Sequence, residues 1–98
     1  MKILAIEKPV PGVVDEQCEP FLIEEAHRAY ELYQSGIIRE LYFRADRFEA
    51  VLVLECESVE KASETIHTLP LVKNGLIDFE IIPLAAYPGF ERLFASLR

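Results

Sequence analysis

The 98-residue chain is poor in basic residues and has no long apolar run. Its 10 Lys and Arg are outnumbered by 17 Asp and Glu, which gives a formal net charge of −7; nucleic-acid-binding domains normally present a basic face. No segment approaches the ~20 apolar residues of a membrane span, and the apolar part of the N-terminus is too short for a signal peptide. We therefore expect one cytoplasmic domain that binds neither nucleic acid nor membrane.

Cysteine and histidine are also scarce. Only Cys18, Cys56, His27 and His67 are present. Two thiols in an intracellular chain are more often free than bridged, and these four residues lack the spacing of a zinc site. We expect structural thiols and predict no metal, haem or other cofactor.

The most informative feature that is present is the apolar run Ala50–Cys56. A strand with one face in water alternates apolar and polar residues, whereas this run is apolar on both sides. The two predicted helices can cover only one face of a sheet. The other face is therefore expected to be shielded by a second copy of the chain, most simply in a two-fold homodimer with the sheets face to face.

Hydrophobic periodicity predicts the order strand, helix, strand, strand, helix, strand. The first strand is expected at 2–7, the second between Gly36 and the connection Asp46–Phe48, the third at 50–56 and the fourth at 76–84. One helix is expected from Pro20 to a C-cap at Gly36, and another from the N-cap Ser58 to Pro70. Residues 13–19 are predicted to form a loop. The apolar helix faces are Leu22, Ala26, Ala29 and Tyr33, and Val59, Ala62, Ile66 and Leu69.

This order predicts an α+β, ferredoxin-like βαββαβ protomer with a four-stranded antiparallel sheet of order 4-1-3-2. Three features agree: the third strand is the most apolar, the second is the most polar, and Pro83 falls on the fourth, where an edge tolerates it. Residues 86–98 are expected to form a tail, with a short helical turn at Phe90–Phe94, that packs on the core or on a neighbouring subunit.

Several segments resemble the muconolactone isomerase family. They are ELYQSGIIRELY at 31–42, SVEKA at 58–62, TLPL at 68–71 and DFEI at 78–81, and the resemblance extends from the first strand to Leu84. It implies a dimeric α/β barrel, with a larger ring as the alternative assembly, and a pocket for a small lactone carboxylate. The implied activity is cofactor-free proton transfer next to a carbonyl, which moves a double bond.

The chain departs from the family pattern at one position. The isomerases have a His-Tyr pair between the second and third strands, where this chain has Arg47-Phe48. The change removes an acid–base candidate and a hydroxyl donor. The acidic position on the first helix is kept as Glu25.

Glu25 and His27 are the candidate catalytic residues, as proton carriers. The alternative is that both belong to a solvated polar face opposite Leu22, Ala26 and Ala29.

Candidate substrate-binding residues are Arg39, Arg44, Arg47, Tyr33 and Tyr42. The arginines could bind a substrate carboxylate through bidentate hydrogen bonds from their guanidinium groups, and the tyrosines could line a pocket. The alternatives are packing for Tyr33 and, for the arginines, ion pairs with Glu40, Asp46, Glu49 or Glu55.

Two functions are therefore predicted as competitors. The first is an isomerase or lyase that acts on a small carboxylated metabolite of the lactone type. The second is a non-catalytic small-ligand-binding or assembly module of the same fold, because a fold alone does not fix a function.

Overall fold

Residues 1–94, which a computed structural model describes, form a four-stranded antiparallel sheet with its helices on one face; the first and third strands of the chain are central, the second strand is the edge beside the third, and the fourth is the edge beside the first. The strands are β1 (Lys2–Pro9), β2 (Ile38–Phe43), β3 (Ala50–Glu55) and β4 (Ile77–Pro83). The helices are α1 (Asp15–Cys18), α2 (Leu22–Gln34), α3 (Val59–Ile66) and α4 (Pro70–Lys73), with 3₁₀ turns at Glu19–Phe21 and Gly89–Leu93. This topology confirms the predicted ferredoxin-like α+β protomer. No helix within residues 1–94 is long and apolar enough to cross a membrane.

The two central strands bury alternate residues, as the period of two in a strand requires. Ile3 on β1 and Leu54 on β3 are completely buried against the helices. Their neighbours Leu4 and Val53 face the other way and are only partly buried. The helix-covered core is completed by apolar residues from the helices and the edge strands: Leu32, Ile38, Ala62, Ile66, Leu69, Val72 and Phe79. The opposite face of the sheet is apolar at its centre, and nothing in residues 1–94 covers it fully.

Two glycines end helices, and the first of them, Gly36, does so as the sequence predicts. Gly36 follows α2 with a φ of +83°, a conformation that side chains with a Cβ rarely adopt. The N–H of Gly36 donates to Tyr33 O and the N–H of Ile37 donates to Leu32 O, which is the Schellman arrangement. Gly75 ends α4 with the same pair of bonds at a φ of +71°. Both turns send the chain directly into an edge strand.

Two predictions along the helices are wrong. Residues 13–19 do not form a loop, because the Val14 N–H donates to the Gln17 side chain and α1 begins there. Pro70 does not end α3, which ends at Ile66; instead Pro70 occupies the first position of α4, where its missing N–H is tolerated. Ser58 caps α3 as predicted, accepting a hydrogen bond from the Lys61 N–H.

The second strand is shorter and less regular than its alternation suggests. A bulge between Ile38 and Glu40 leaves Arg39 without a partner on β3. Because the bulge interrupts the alternation of the strand, Arg39 does not lie on the same face as Leu41, as a regular strand would require. At the other end of the chain, the predicted turn is present at Gly89–Leu93, and the side chain of Phe90 is 66% exposed. Residues 95–98 of the predicted tail lie outside the described residues.

Candidate functional site

An apolar cavity of about 400 Å³ lies between α2 and the sheet. Leu22, Ala26 and Ala29 of α2 form one wall, and Leu41, Leu52 and Phe79 of the sheet contribute the other. The residues predicted as the packing stripe of the first helix therefore line a cleft. Leu22 is 50% exposed and Tyr33 is 54% exposed, whereas Leu32 alone on α2 is buried. The alternative for Tyr33, a side chain packed on the core stripe, does not hold, because more than half of this side chain is exposed.

Glu25 projects into this cavity from α2. It is three residues after Leu22 and four before Ala29, so it falls on the same helical face as they do. Its Oε1 accepts a hydrogen bond of 2.9 Å from the backbone N–H of Leu71. Glu25 is half-buried, so it does not belong to a solvated polar face, which is the alternative interpretation. That interpretation holds for His27, which is exposed together with Glu24.

A second carboxylate, Glu7, lines the same cavity from β1. It continues the alternation of Ile3 and Ala5, whose side chains face the helices. The pairing of β1 with β3 ends at Ile6 and Val51. Beyond that point the Glu7 Oε1 accepts a 2.9 Å hydrogen bond from the N–H of Ala50, at the start of β3. Each carboxylate in the cavity is thus held by one backbone N–H.

Burial makes both carboxyl groups harder to ionise. Desolvation raises the pKa of Glu25 above its usual range, the bond from Leu71 opposes this, and the charge of Glu7 raises the pKa further. Desolvation likewise raises the pKa of Glu7, against the bond from Ala50 and together with the charge of Glu49. Burial raises the pKa of the Cys18 thiol, and the negative charges of Asp15, Glu7 and Glu25 raise it further. An apolar cavity with two carboxyls of raised pKa can hold a proton at higher pH than solvated glutamates do, and can transfer it to a ligand.

The cavity adjoins a shallower groove between α2 and β2. The two share Ala26, Ala29, Leu41 and Tyr42 in their walls. The groove adds polar side chains to this common wall: Tyr30, Tyr33, Arg39 and Glu40. Of the predicted substrate-binding residues, Tyr33 and Arg39 thus lie in the groove that adjoins the cavity. Tyr42 borders both, but it pairs with Val51, so its side chain belongs to the sheet face away from the helices.

Two predicted arginines are instead held in ion pairs, as the alternative interpretation expected. Arg44 forms a bidentate ion pair with Asp46, in which its Nε and Nη2 donate to the two carboxylate oxygens at 2.9 and 2.7 Å. Its Nη1 lies 3.9 Å from Oε1 of Glu49. Arg47 bonds Glu49 at 2.9 Å. Neither arginine lines the cavity or the groove. Phe48, at the departure from the family pattern, is 87% exposed and rests on Phe43 with ring centroids 5.3 Å apart.

His27 lies outside both the cavity and the groove and is exposed. Cys18 and Cys56 are both free. Among residues 1–94, no three His, Cys, Asp or Glu side chains are grouped so that they could hold a metal ion.

Sequence reasoning missed Glu7 as a site residue. A signal was present, because an acidic residue that continues the buried alternation of Ile3 and Ala5 must lie on the helix-covered face of the sheet. The sequence alone does not show that Glu7 and Glu25 share a cavity. Residues 7, 25, 50 and 71 are far apart in the chain, and only the fold brings them together.

Comparisons with known proteins agree on one family. The sequence model of the muconolactone delta-isomerase family matches residues 5–89. A crystal structure of muconolactone isomerase aligns with a TM-score of 0.71 and 24% sequence identity, covering 90% of this chain and 92% of that one. At that identity the structural likeness concerns the fold. A comparison with curated proteins finds no match.

Proposed function

Because the chain belongs to the muconolactone delta-isomerase family, we propose that it is a cofactor-independent isomerase that moves a proton, and with it a double bond, in a small carboxylated lactone. One observation carries the proposal: the 400 Å³ apolar cavity contains Glu25, a half-buried carboxyl of raised pKa. A cavity of this size accommodates a five-membered ring with one short acidic substituent.

The chemistry needs one positioned acid–base group. A carboxylate takes the proton from the saturated ring carbon at the far end of the C=C–C=O system; the C–H bond breaks, and its electron pair spreads over the conjugated system as a dienolate. The proton then returns to the other end of that system, which shifts the double bond. A positioned group of this kind contributes typically 10²–10⁴-fold in rate. The apolar wall around Glu25 raises its proton affinity towards that of a carbon acid flanked by a carbonyl.

The substrate carboxylate fits the groove beside the cavity. There Arg39 donates from Nε to the carbonyl oxygen of Gly36 at 2.6 Å, which fixes the guanidinium on the bulged edge of β2. Within residues 1–94 Arg39 has no ion pair. Its two terminal nitrogens can therefore bind a carboxylate in the bidentate way.

The test is the conversion of muconolactone by the purified chain, followed by proton NMR in D₂O. We expect the double bond to move and deuterium to enter the ring. Glu25→Ala should lower kcat by roughly 10²–10⁴-fold, while the matched variant Glu24→Ala, one position along the same helix, should retain wild-type turnover. If no carboxylated lactone is converted but such acids raise the melting temperature, the chain is the competing ligand-binding module. If none is converted or bound, the isomerase and the small-ligand-binding module are both wrong.

We extend the proposal to a homodimer in the cytoplasm. The sheet face away from the helices carries a central apolar patch of Leu4, Ile6, Val51, Val53 and Ile82. A second copy that covers it would gain ~25 cal/mol per Å² of buried apolar area before the costs of association. Two free thiols suit a reducing compartment.

A further inference from the structure

We infer that Glu7 is a second catalytic carboxyl and that it forms a one-proton pair with Glu25, in which the ionised member accepts the substrate proton while the neutral member donates a hydrogen bond to the lactone carbonyl oxygen. The inference rests on the proposed function and adds a residue that the family resemblance does not supply.

The geometry that carries the inference is the shared cavity. Glu7 reaches it from β1 and Glu25 from α2, and the side chains between them are almost all apolar. Each carboxyl uses Oε1 for one backbone N–H, of Ala50 or of Leu71. The second oxygen of each has no hydrogen-bond partner among residues 1–94, so it can face a ligand.

Two negative charges in one apolar cavity oppose each other. The charge of Glu7 acts on Glu25 directly, and Glu49, from the β2–β3 connection, adds a further negative charge near Glu7. Glu49 is itself partly neutralised by Arg44 and Arg47. Retaining one proton between the two cavity groups removes the repulsion, as in other carboxyl pairs.

The reaction needs both forms of the pair. A carboxylate must take the proton from carbon, and the dienolate that results carries negative charge on the former carbonyl oxygen. A neutral carboxylic acid in an apolar site can donate a hydrogen bond to such an oxygen. The proton on this donor stays on its carboxyl throughout, and the transferred proton leaves and rejoins carbon through the other carboxyl. Atoms and electrons balance without an added reactant.

The experiment compares amide and leucine variants at both positions, with muconolactone as substrate. Glutamine can donate a hydrogen bond but cannot act as a base, whereas leucine can do neither. We expect both Glu7→Leu and Glu25→Leu to lose roughly 10²–10⁴-fold in kcat. Of the two glutamine variants, one should keep activity well above its leucine counterpart and the other should not. Because Glu25 is the base in the proposed function, Glu7 is the hydrogen-bonding member, and we expect Glu7→Gln to be the more active.

A binding measurement gives a readout that does not depend on turnover. The probe is 3-hydroxyphenylacetate, whose hydroxyl and carboxymethyl groups imitate the dienolate oxygen and the acid, with phenylacetate as the reference that lacks the hydroxyl. Wild type should prefer the hydroxylated acid by roughly 2- to 10-fold, the value of one hydrogen bond. The preference should disappear in whichever leucine variant removes the hydrogen-bonding member.

The inference is overturned if Glu7→Leu turns muconolactone over at the wild-type rate, or if both glutamine variants lose as much as their leucine counterparts. Failure of the proposed function is a different result, in which wild type itself converts no lactone. A reversed asymmetry, with Glu25→Gln the more active, supports the pair with its roles exchanged. Circular dichroism and urea unfolding of each variant separate loss of fold from loss of chemistry.

Discussion

The carboxylate of Glu25 accepts a 2.9 Å hydrogen bond from the backbone N–H of Leu71, 46 residues further along the chain. Leu71 is the second residue of α4, whose N-cap, Leu69, has no side-chain acceptor and whose first residue, Pro70, has no N–H. Glu25 therefore supplies from α2 the cap that α4 lacks locally. One side chain thus joins two helices and also lines the candidate site.

The first prediction concerns this cap. Glu25→Ala should lower the free energy of unfolding by about 0.5–2 kcal/mol, because the Leu71 N–H loses its acceptor. Glu25→Gln keeps an acceptor oxygen and should be at least as stable as wild type at neutral pH, since it also removes a charge from an apolar cavity. Urea unfolding measures both, with the exposed Glu24→Ala as control. Equal stabilities of the Ala and Gln variants would contradict the capping role.

The second prediction is a pH dependence of stability. The folded pKa values of Glu7 and Glu25 are raised by burial, so the folded state binds more protons than the unfolded state. The stability from these groups is complete below the ordinary glutamate pKa of about 4.3 and is lost as pH rises through the raised values. Two exposed groups have the opposite effect. Arg44 lowers the pKa of Asp46 and the N-terminal amine lowers the pKa of Glu55, so the stability from these groups is lost as the pH falls through their lowered values.

The measurement compares wild type with the double variant E7Q/E25Q in urea between about pH 4 and about pH 8. The variant should gain stability relative to wild type as the pH rises, because it has no carboxyl to ionise in the cavity. A constant difference across this range would show that the two groups are solvated.

The third prediction fills the cavity. Ala29 lies in the wall shared by the cavity and the groove, and Ala29→Leu would place three more carbon atoms there. We expect kcat/KM for muconolactone to fall at least about tenfold through lost space for the ring, with the free energy of unfolding within about 1.5 kcal/mol of wild type. Ala45→Leu, on the exposed connection after β2, is the matched control. Unchanged kinetics in Ala29→Leu would place the substrate elsewhere.

The fourth prediction separates the arginines. Arg39 has no ion pair among residues 1–94 and lines the groove, whereas Arg47 is paired with Glu49 outside it. Arg39→Met should raise KM for a carboxylated lactone by roughly 10- to 100-fold with little change in kcat, as expected for the loss of a charge-assisted contact. Arg47→Met should leave both constants near wild type. The opposite pattern would move the carboxylate site to the β2–β3 connection.

The fold could be predicted because its signals are local. Gly36 and the Asn74-Gly75 turn mark the ends of helices, and Ser58 marks the start of one. Pro83 indicates that the fourth strand lies at an edge of the sheet. The site could be predicted only in part, because it depends on distances between elements. Leu22, Ala26 and Ala29 have the spacing of a packing stripe, and nothing in that spacing shows that α2 stands away from the sheet. The bulge at Arg39 likewise depends on the pairing with β3.

The fifth prediction tests the homodimer. Val51 lies opposite Ile6 on the central pair of strands and opposite Tyr42 on β2, near the middle of the apolar patch. Two copies packed face to face across a two-fold axis would bring both Val51 side chains near each other. Val51→Glu would therefore place like charges in an apolar interface, at a cost well above that of a surface charge. We expect sedimentation of wild type at twice the chain mass of 11.2 kDa and of the variant at the chain mass.

Gln34→Glu, which adds the same charge at the exposed end of α2, should leave the dimer intact. A folded wild-type chain that sediments as a monomer at micromolar concentration would refute the dimer, because the apolar sheet face would then be stable in water.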